Sequence, residues 1–130
     1  MILLDTHVVL WLTTDKKQLS ASAASAIRAA SRAGEGLAIS GATLWELAMI
    51  EAKGRLHLPS TLSEYLRYVE AMFVVLPITG LVAERSIRFT DKYPCDPTDR
   101  LIGATALVHG MRLVTKDSRI RDSREVDCVW

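Results

Sequence analysis

Cysteine is nearly absent from this sequence, with only Cys95 and Cys128, which lie far apart. Neither belongs to a Cys-x-x-Cys pair or to a Cys/His metal spacing, so the signatures of a structural zinc site are missing and a reduced, cytosolic, soluble protein is expected. An excess of charge of one sign is also missing: 16 Lys and Arg stand against 15 Asp and Glu, a formal net charge of +1. That balance excludes a global attraction to nucleic acid or to an anionic membrane surface, and any polyanionic substrate has to be handled locally. Long apolar runs are lacking as well. No segment approaches the roughly 20 residues needed to cross a bilayer, and the apolar start Met1-Ile2-Leu3-Leu4 has no basic leader and stops at Asp5, before a signal-peptide core forms. With 4 Pro and 7 Gly beside 49% apolar and 24% charged residues, neither a disordered nor a collagen-like chain is indicated. No repeat, low-complexity tract or linker divides the 130 residues, and one domain spanning 1–130 is expected.

What is present is an alternation. Residues 2–5 read as a buried strand ending at a carboxylate, and 20–33 as an Ala-rich helix capped by Ser20 or Ser22 and stopped by Gly34. A strand over 37–40 and a helix over 42–53, ended by Gly54, follow. Thr61-Leu62-Ser63-Glu64 has capping-box spacing and opens a helix reaching about Met72. Residues 73–76 read as a strand, 79–89 and 97–109 as helices, 112–115 as a short strand, and 127–130 as a last strand. Short apolar strands alternating with helices predict an α/β fold, a parallel sheet with helices on both faces. Ligands of such open sheets bind beyond the carboxyl ends of the strands, where Asp5 and Asp117 are both expected.

Four acids stand in places that ask for a reason. Glu46 lies among Leu44, Trp45, Leu47, Ala48, Met49 and Ile50, so its helix is apolar almost all round and is expected to be largely buried. An ionised Glu there needs a cation, and no Lys or Arg lies one turn away; a solvent gap or an intersubunit ion pair would serve equally. Asp96-Pro97-Thr98-Asp99 makes a good helix start, with Asp at the cap, Pro in the first turn and an acid two residues on, so capping alone accounts for both acids. Asp5 also fits a cap on a helical turn beginning at Thr6, and Asp117-Ser118 a turn after a strand. The four together are harder to explain that way. Carboxylates gathered at one sheet edge repel one another unless a cation neutralises them, and an all-oxygen set favours magnesium or manganese over zinc. Such ions serve phosphodiester hydrolysis.

Asp5-Thr6-His7 with Leu10-Trp11-Leu12, Leu44-Trp45-Glu46-Leu47-Ala48, Asp96-Pro97-Thr98-Asp99-Arg100-Leu101 and Leu113-Val114-Thr115-Lys116-Asp117 occur in this order. The ordered set resembles the PIN-domain toxins of the VapC type, from Met1 to at least Asp117. The resemblance implies a three-layer α/β sandwich with a central parallel sheet. It implies a Mg2+- or Mn2+-dependent endoribonuclease that slows translation, paired with a VapB-type antitoxin through which alone it contacts DNA, and acting as a homodimer in the cytoplasm. In that reading Asp5, Glu46 and Asp99 are the principal metal ligands and catalytic acids, Asp117 is the fourth acid, often acting through water, and the Thr115 hydroxyl, with Thr6, supports the ligands from behind. Asp96 is kept as the helix cap, and His7 matches a family variant without an assigned role.

The remaining polar and aromatic residues divide less sharply. His57 and His109 share no ligand spacing and read as structural, while His7 fits either a structural residue or one that orients a phosphate. Trp11 and Trp45, in apolar runs, read as core rather than as base-stacking rings. Arg100, Arg112, Lys116, Arg119, Arg121 and Arg124 form a basic stripe diluted by Asp117, Asp122 and Glu125; Arg100 and Lys116, adjoining expected ligands, are the better RNA-binding candidates. Tyr65, Tyr68, Val69 and Met72 share a helix face that is either core or an apolar groove for an antitoxin segment. A phosphate-receiving domain is disfavoured, since Asp5 lacks an adjacent second Asp and no Gly-x-x-x-x-Gly-Lys loop exists. A non-catalytic PIN-like binding scaffold is the alternative of a different class.

Overall fold

The computed structural model describes residues 1–130. Its strands are β1 (Ile2–Leu4), β2 (Leu37–Ser40), β3 (Val74–Leu76), β4 (Leu113–Val114) and β5 (Cys128–Val129). The helices are α1 (Thr6–Thr13), α2 (Ala21–Arg32), α3 (Gly41–Ala52), α4 (Leu62–Met72), α5 (Gly80–Ser86), α6 (Pro97–Val108) and α7 (Ser118–Ser123), with a 3-10 turn at Lys16–Gln18. The strands lie in the order β3-β2-β1-β4-β5, and every pairing is parallel. The expected α/β layering is therefore what the chain adopts.

Strand periodicity explains the two-sided core. Successive side chains point to opposite faces, so Leu3, Ala38 and Leu113 join one cluster with Val82, Ile102 and Ile120 from α5, α6 and α7. Leu4, Ile39 and Val114, one residue later on each strand, join the other with Val8, Val9, Ile27, Leu47 and Val69 from α1 to α4. Residues such as Leu3 and Leu4 are fully buried, each contributing roughly 1.5–3 kcal/mol from water removal. The chain winds from β1 outward through β2 to β3, then returns to place β4 on the other side of β1. The crevice for a ligand in such a sheet opens where the winding reverses, between the carboxyl ends of β1 and β4.

Several local expectations need correction. The segment after Asp5 is a full helix rather than a single turn: Asp5 accepts the Thr6 N–H at 2.8 Å, and burial of Val8 and Val9 outweighs the poor helix propensity of β-branched residues. The segment after Asp117 is helix α7, closed by Arg124 in the left-handed region at φ 57°, and held by the buried Ile120 and Ser123. Helix α3 is not buried all round, since Trp45 is 60% exposed and only Ala42, Thr43 and Leu47 are buried. On α4 the shared face divides, with Tyr65 and Val69 in the core and Tyr68 and Met72 exposed.

One close approach ties α6 to the preceding loop. The Tyr93 hydroxyl donates to the Asp99 carbonyl at 2.9 Å, and its ring stacks on Phe89 with centroids 3.8 Å apart. Gly103 lies beneath that ring, and a Cβ there would overlap the Tyr93 hydroxyl. Gly103→Ala ought to gain about 1 kcal/mol from helix propensity alone. Overlap with the fully packed Tyr93 outweighs it, and the expected outcome is a net loss of about 1–3 kcal/mol in urea denaturation. An unchanged or raised midpoint would show that the Tyr93 packing is not rigid.

Candidate active site

A cleft of about 530 Å³ opens over the ends of β1 and β4, lined by Asp5, His7, Trp11, Glu46, Asp96, Asp99, Lys116, Asp117 and Arg119. Each acid is delivered by a different local rule. Asp5 ends β1 and caps α1; Glu46 is carried one turn into α3, which starts at the end of β2; Asp96 caps α6 through the N–H groups of Thr98 (2.9 Å) and Asp99 (3.2 Å). Asp99 lies in the first turn of α6, and Asp117 caps α7 just beyond β4. Residues more than a hundred positions apart thus share one wall. A carboxylate oxygen from each of Glu46, Asp96 and Asp99 lies within 4.8 Å of the others.

Asp5 is the most deeply set, 6% exposed. The Thr115 hydroxyl donates to its Oδ2 at 2.6 Å and itself accepts the Asp117 N–H at 3.1 Å, so a single hydroxyl fixes the relation of two acids from β1 and β4. Burial nevertheless pushes the Asp5 carboxyl above its ordinary range, against the pull of Thr115, Thr6 and the His7 charge. Burial likewise raises Glu46, helped by the charges of Asp5 and Asp96. The Thr6 hydroxyl beside Glu46 opposes the rise, yet it is buried without a hydrogen bond of ordinary geometry. Asp99 is affected most. Burial first, then the charges of Asp5, Asp96, Glu46 and Asp117, push it up to about 7.

Asp117 behaves differently. Burial alone would raise it, but the hydrogen bonds and charge of Arg119 outweigh that and hold it below the usual carboxylate range. The Arg119 backbone donates at 2.8 Å and its Nη2 at 2.9 Å. The cleft therefore has five carboxylates and two permanent cations, one of which, Arg119, is paired with Asp117.

These residues fit a hard divalent cation. The donors are all oxygens, which suits magnesium or manganese rather than zinc. A buried Thr6 hydroxyl without a hydrogen-bond partner and an Asp99 carboxyl pushed up by burial and by its charged neighbours are what an added positive charge would relieve.

All four acids singled out from the sequence line the cleft, and Thr115 and Thr6 stand behind them. Asp96, read only as a cap, is both cap and cleft wall. Lys116 lines the cleft, whereas Arg100 lies outside it with its Nε on the Pro94 carbonyl at 2.9 Å. His7 and Trp11 also line the cleft, Trp11 half-buried rather than core. The 3.6-residue period of α1 carries the signal for both, since His7 and Trp11 are four apart and share a face.

The model of the PIN domain family matches residues 2–125. The chain is 37% identical over 123 residues to Ribonuclease VapC22 of Mycobacterium tuberculosis, covering 95% of this chain and 92% of that protein. In shape it is similar to DNA-bound VapBC from Salmonella typhimurium, with a TM-score of 0.72 at 18% identity over 98% of this chain and 97% of that one. It is similar also to FitAcB from Neisseria gonorrhoeae, with a TM-score of 0.66 at 23% identity over 98% and 96%.

The raised Asp99 carboxyl has a thermodynamic consequence for the metal-free protein. Its pKa is about 7 folded against 3.8 ordinarily, so the folded chain holds an extra proton between those values. Stability therefore falls as pH rises through that window. In chelator, the melting temperature at about pH 8 should lie several degrees below that at about pH 5, and Asp99→Asn should flatten the difference. A melting temperature that climbed over this range would contradict the crowding of these acids.

Proposed function

The chain belongs to the PIN-domain family, in its VapC branch, and from that premise we propose that it is a metal-dependent endoribonuclease acting as the toxin of a toxin-antitoxin pair. The observation that supports this most is the convergence of Asp5, Glu46, Asp96, Asp99 and Asp117 on one cleft with too few cations to balance them. Asp5, Glu46 and Asp99 would hold Mg2+ or Mn2+, with Asp117 as the fourth acid and Asp96 beside it. A bound divalent ion supplies activation of water and stabilisation of charge on the oxygens around phosphorus.

The chain's own side chains do the rest. Thr115 holds Asp5 in one orientation through its 2.6 Å hydrogen bond, so that the carboxylate is preorganised rather than recruited. Lys116 stands at the rim, where it offers the phosphate a charge the acids cannot. Arg119 can leave Asp117 for a phosphate oxygen at little cost, because its ion pair is on an exposed side chain. Asp99 and Glu46, whose carboxyls are raised by burial and by their charged neighbours, would give up their protons as the cation binds and hold it as carboxylates.

A VapB-type antitoxin is the proposed partner, since similar folds were solved as VapBC complexes, one of them with DNA bound. DNA contact of this chain would then run through the antitoxin. A homodimer, a cytoplasmic location and slowed translation belong to the same proposal. No helix is long and apolar enough to cross a membrane.

Purified chain freed of antitoxin should cut RNA with Mg2+ or Mn2+ and stop with chelator. Asp99→Asn should lose cleavage by about a hundred-fold or more while keeping its circular dichroism, and should also lose the growth arrest that expression of the parent causes. Cleavage at the parent's rate by folded Asp99→Asn would remove Asp99 from the chemistry. Chelator-resistant cleavage would remove the metal.

A further inference from the structure

The acidic cleft has one apolar lining residue, Trp11. Its ring is the middle of a row. His7 lies 5.9 Å away at 48° on the cleft side, and Trp130 lies 5.8 Å away at 51°. The Lys116 Nζ stands 5.5 Å from the Trp11 centroid, a cation on an aromatic face at the cleft's rim. Trp130 in turn lines a second hollow, of about 480 Å³, with Arg121 and Arg124. Neither arginine takes part in an ion pair, whereas Asp127 in the same hollow is paired with Arg112 at 3.3 Å. From the acids outward the surface therefore presents cation, aromatic, aromatic, then two unpaired guanidiniums.

We propose that Trp11 and Trp130 are the nucleobase-stacking subsite of a single-stranded RNA track leading from the acidic cleft to a phosphate subsite at Arg121 and Arg124. The proposal rests on the nuclease reading and says which form of RNA it takes. Two adjacent rings flanked by positive charge at both ends suit a pair of stacked bases whose flanking phosphates meet Lys116 on one side and Arg121 and Arg124 on the other. Bases in a duplex are stacked on each other and cannot reach the rings, so the track selects unpaired RNA. A basic peptide would be repelled by Arg121 and Arg124, and an acidic one offers no rings to stack on the two indoles. An apolar peptide finds only the two indoles. The track also resolves the chain's neutral balance: its attraction for a polyanion is local, on one side of the cleft.

The test uses the full chain carrying Asp99→Asn, so that RNA is bound and not cut, with a fluorescein-labelled mixed-sequence oligoribonucleotide offered as a single strand or as a duplex. Anisotropy should show the single strand bound more tightly, and binding should quench tryptophan emission. Adding Trp11→Leu should weaken the single strand about ten-fold, with Trp11→Phe retaining most of the affinity. The exposed pair Arg121→Gln and Arg124→Gln, which leaves the core untouched, should weaken binding and lower the salt slope by about 1.4, the value for two phosphates of a single strand. Parent affinity in both the Trp11→Leu and the double arginine variants would overturn the proposal, as would equal affinity for duplex without quenching. Variants that keep RNA affinity but lose binding to the antitoxin would assign the row to a protein partner and overturn it equally. If the parent cuts RNA while these variants bind it unchanged, this proposal fails alone. If the parent neither cuts nor binds RNA, the nuclease reading fails with it.

Discussion

Five carboxylates converge where the winding of a parallel sheet reverses, and their repulsion is the constraint on which the site depends. Asp5 and Glu46 are held by elements whose other residues form the core, so neither can retreat to solvent without disturbing it. The strain appears as displaced protonation: burial, and then the charges of its neighbours, push Asp99 up to about 7. Arg119 forms its ion pair with Asp117 alone. A buried charge cluster of this kind lowers stability unless something compensates it, and natural domains retain such clusters where chemistry requires them.

Support from behind makes the cluster usable. Thr115 bridges Asp5 and the Asp117 backbone, and so links β1 to the segment after β4 at the switch point. Tyr93 fastens the Asp99 carbonyl from the opposite side, through a space that Gly103 leaves open. Both anchors are fully buried hydroxyl-bearing side chains or nearly so. The acids therefore have little freedom to reorganise, and preorganised charge stabilises a transition state more effectively than charge that has to be gathered.

Much of this was legible in the linear sequence, and the failures have physical causes. Long periodic segments with caps, such as the helix opened by Thr61 and Glu64, declare themselves because local signals agree with tertiary packing. After Asp5 the sequence offers no more than a cap on a helical turn at Thr6; Val8 and Val9 are poor helix formers, and their burial against the sheet makes the segment a full helix. Helix α7 is six residues long, too short for a hydrophobic period to show. Trp45 looked like core because apolar neighbours surround it in sequence, but α3 turns that face outward. The acids were found by spacing and by chemical oddity. Asp96 was set aside because capping explained it fully, and a cap's second role depends on what α3 brings within reach, which no local rule supplies. The division of the basic stripe was equally hidden: Arg119 faces the cleft while Arg121 and Arg124 face another hollow, a consequence of α7 being helical.

The direct measure of the central claim is calorimetric titration of Mn2+ into the metal-free chain at about pH 7, repeated in buffers of different ionisation enthalpy. Crowded carboxylates relieved by a cation predict saturable binding that releases protons, tightens as pH rises, and loses its proton release in Asp99→Asn. Binding that released no protons, or no saturable binding at all, would mean that these acids meet for some reason other than holding a metal.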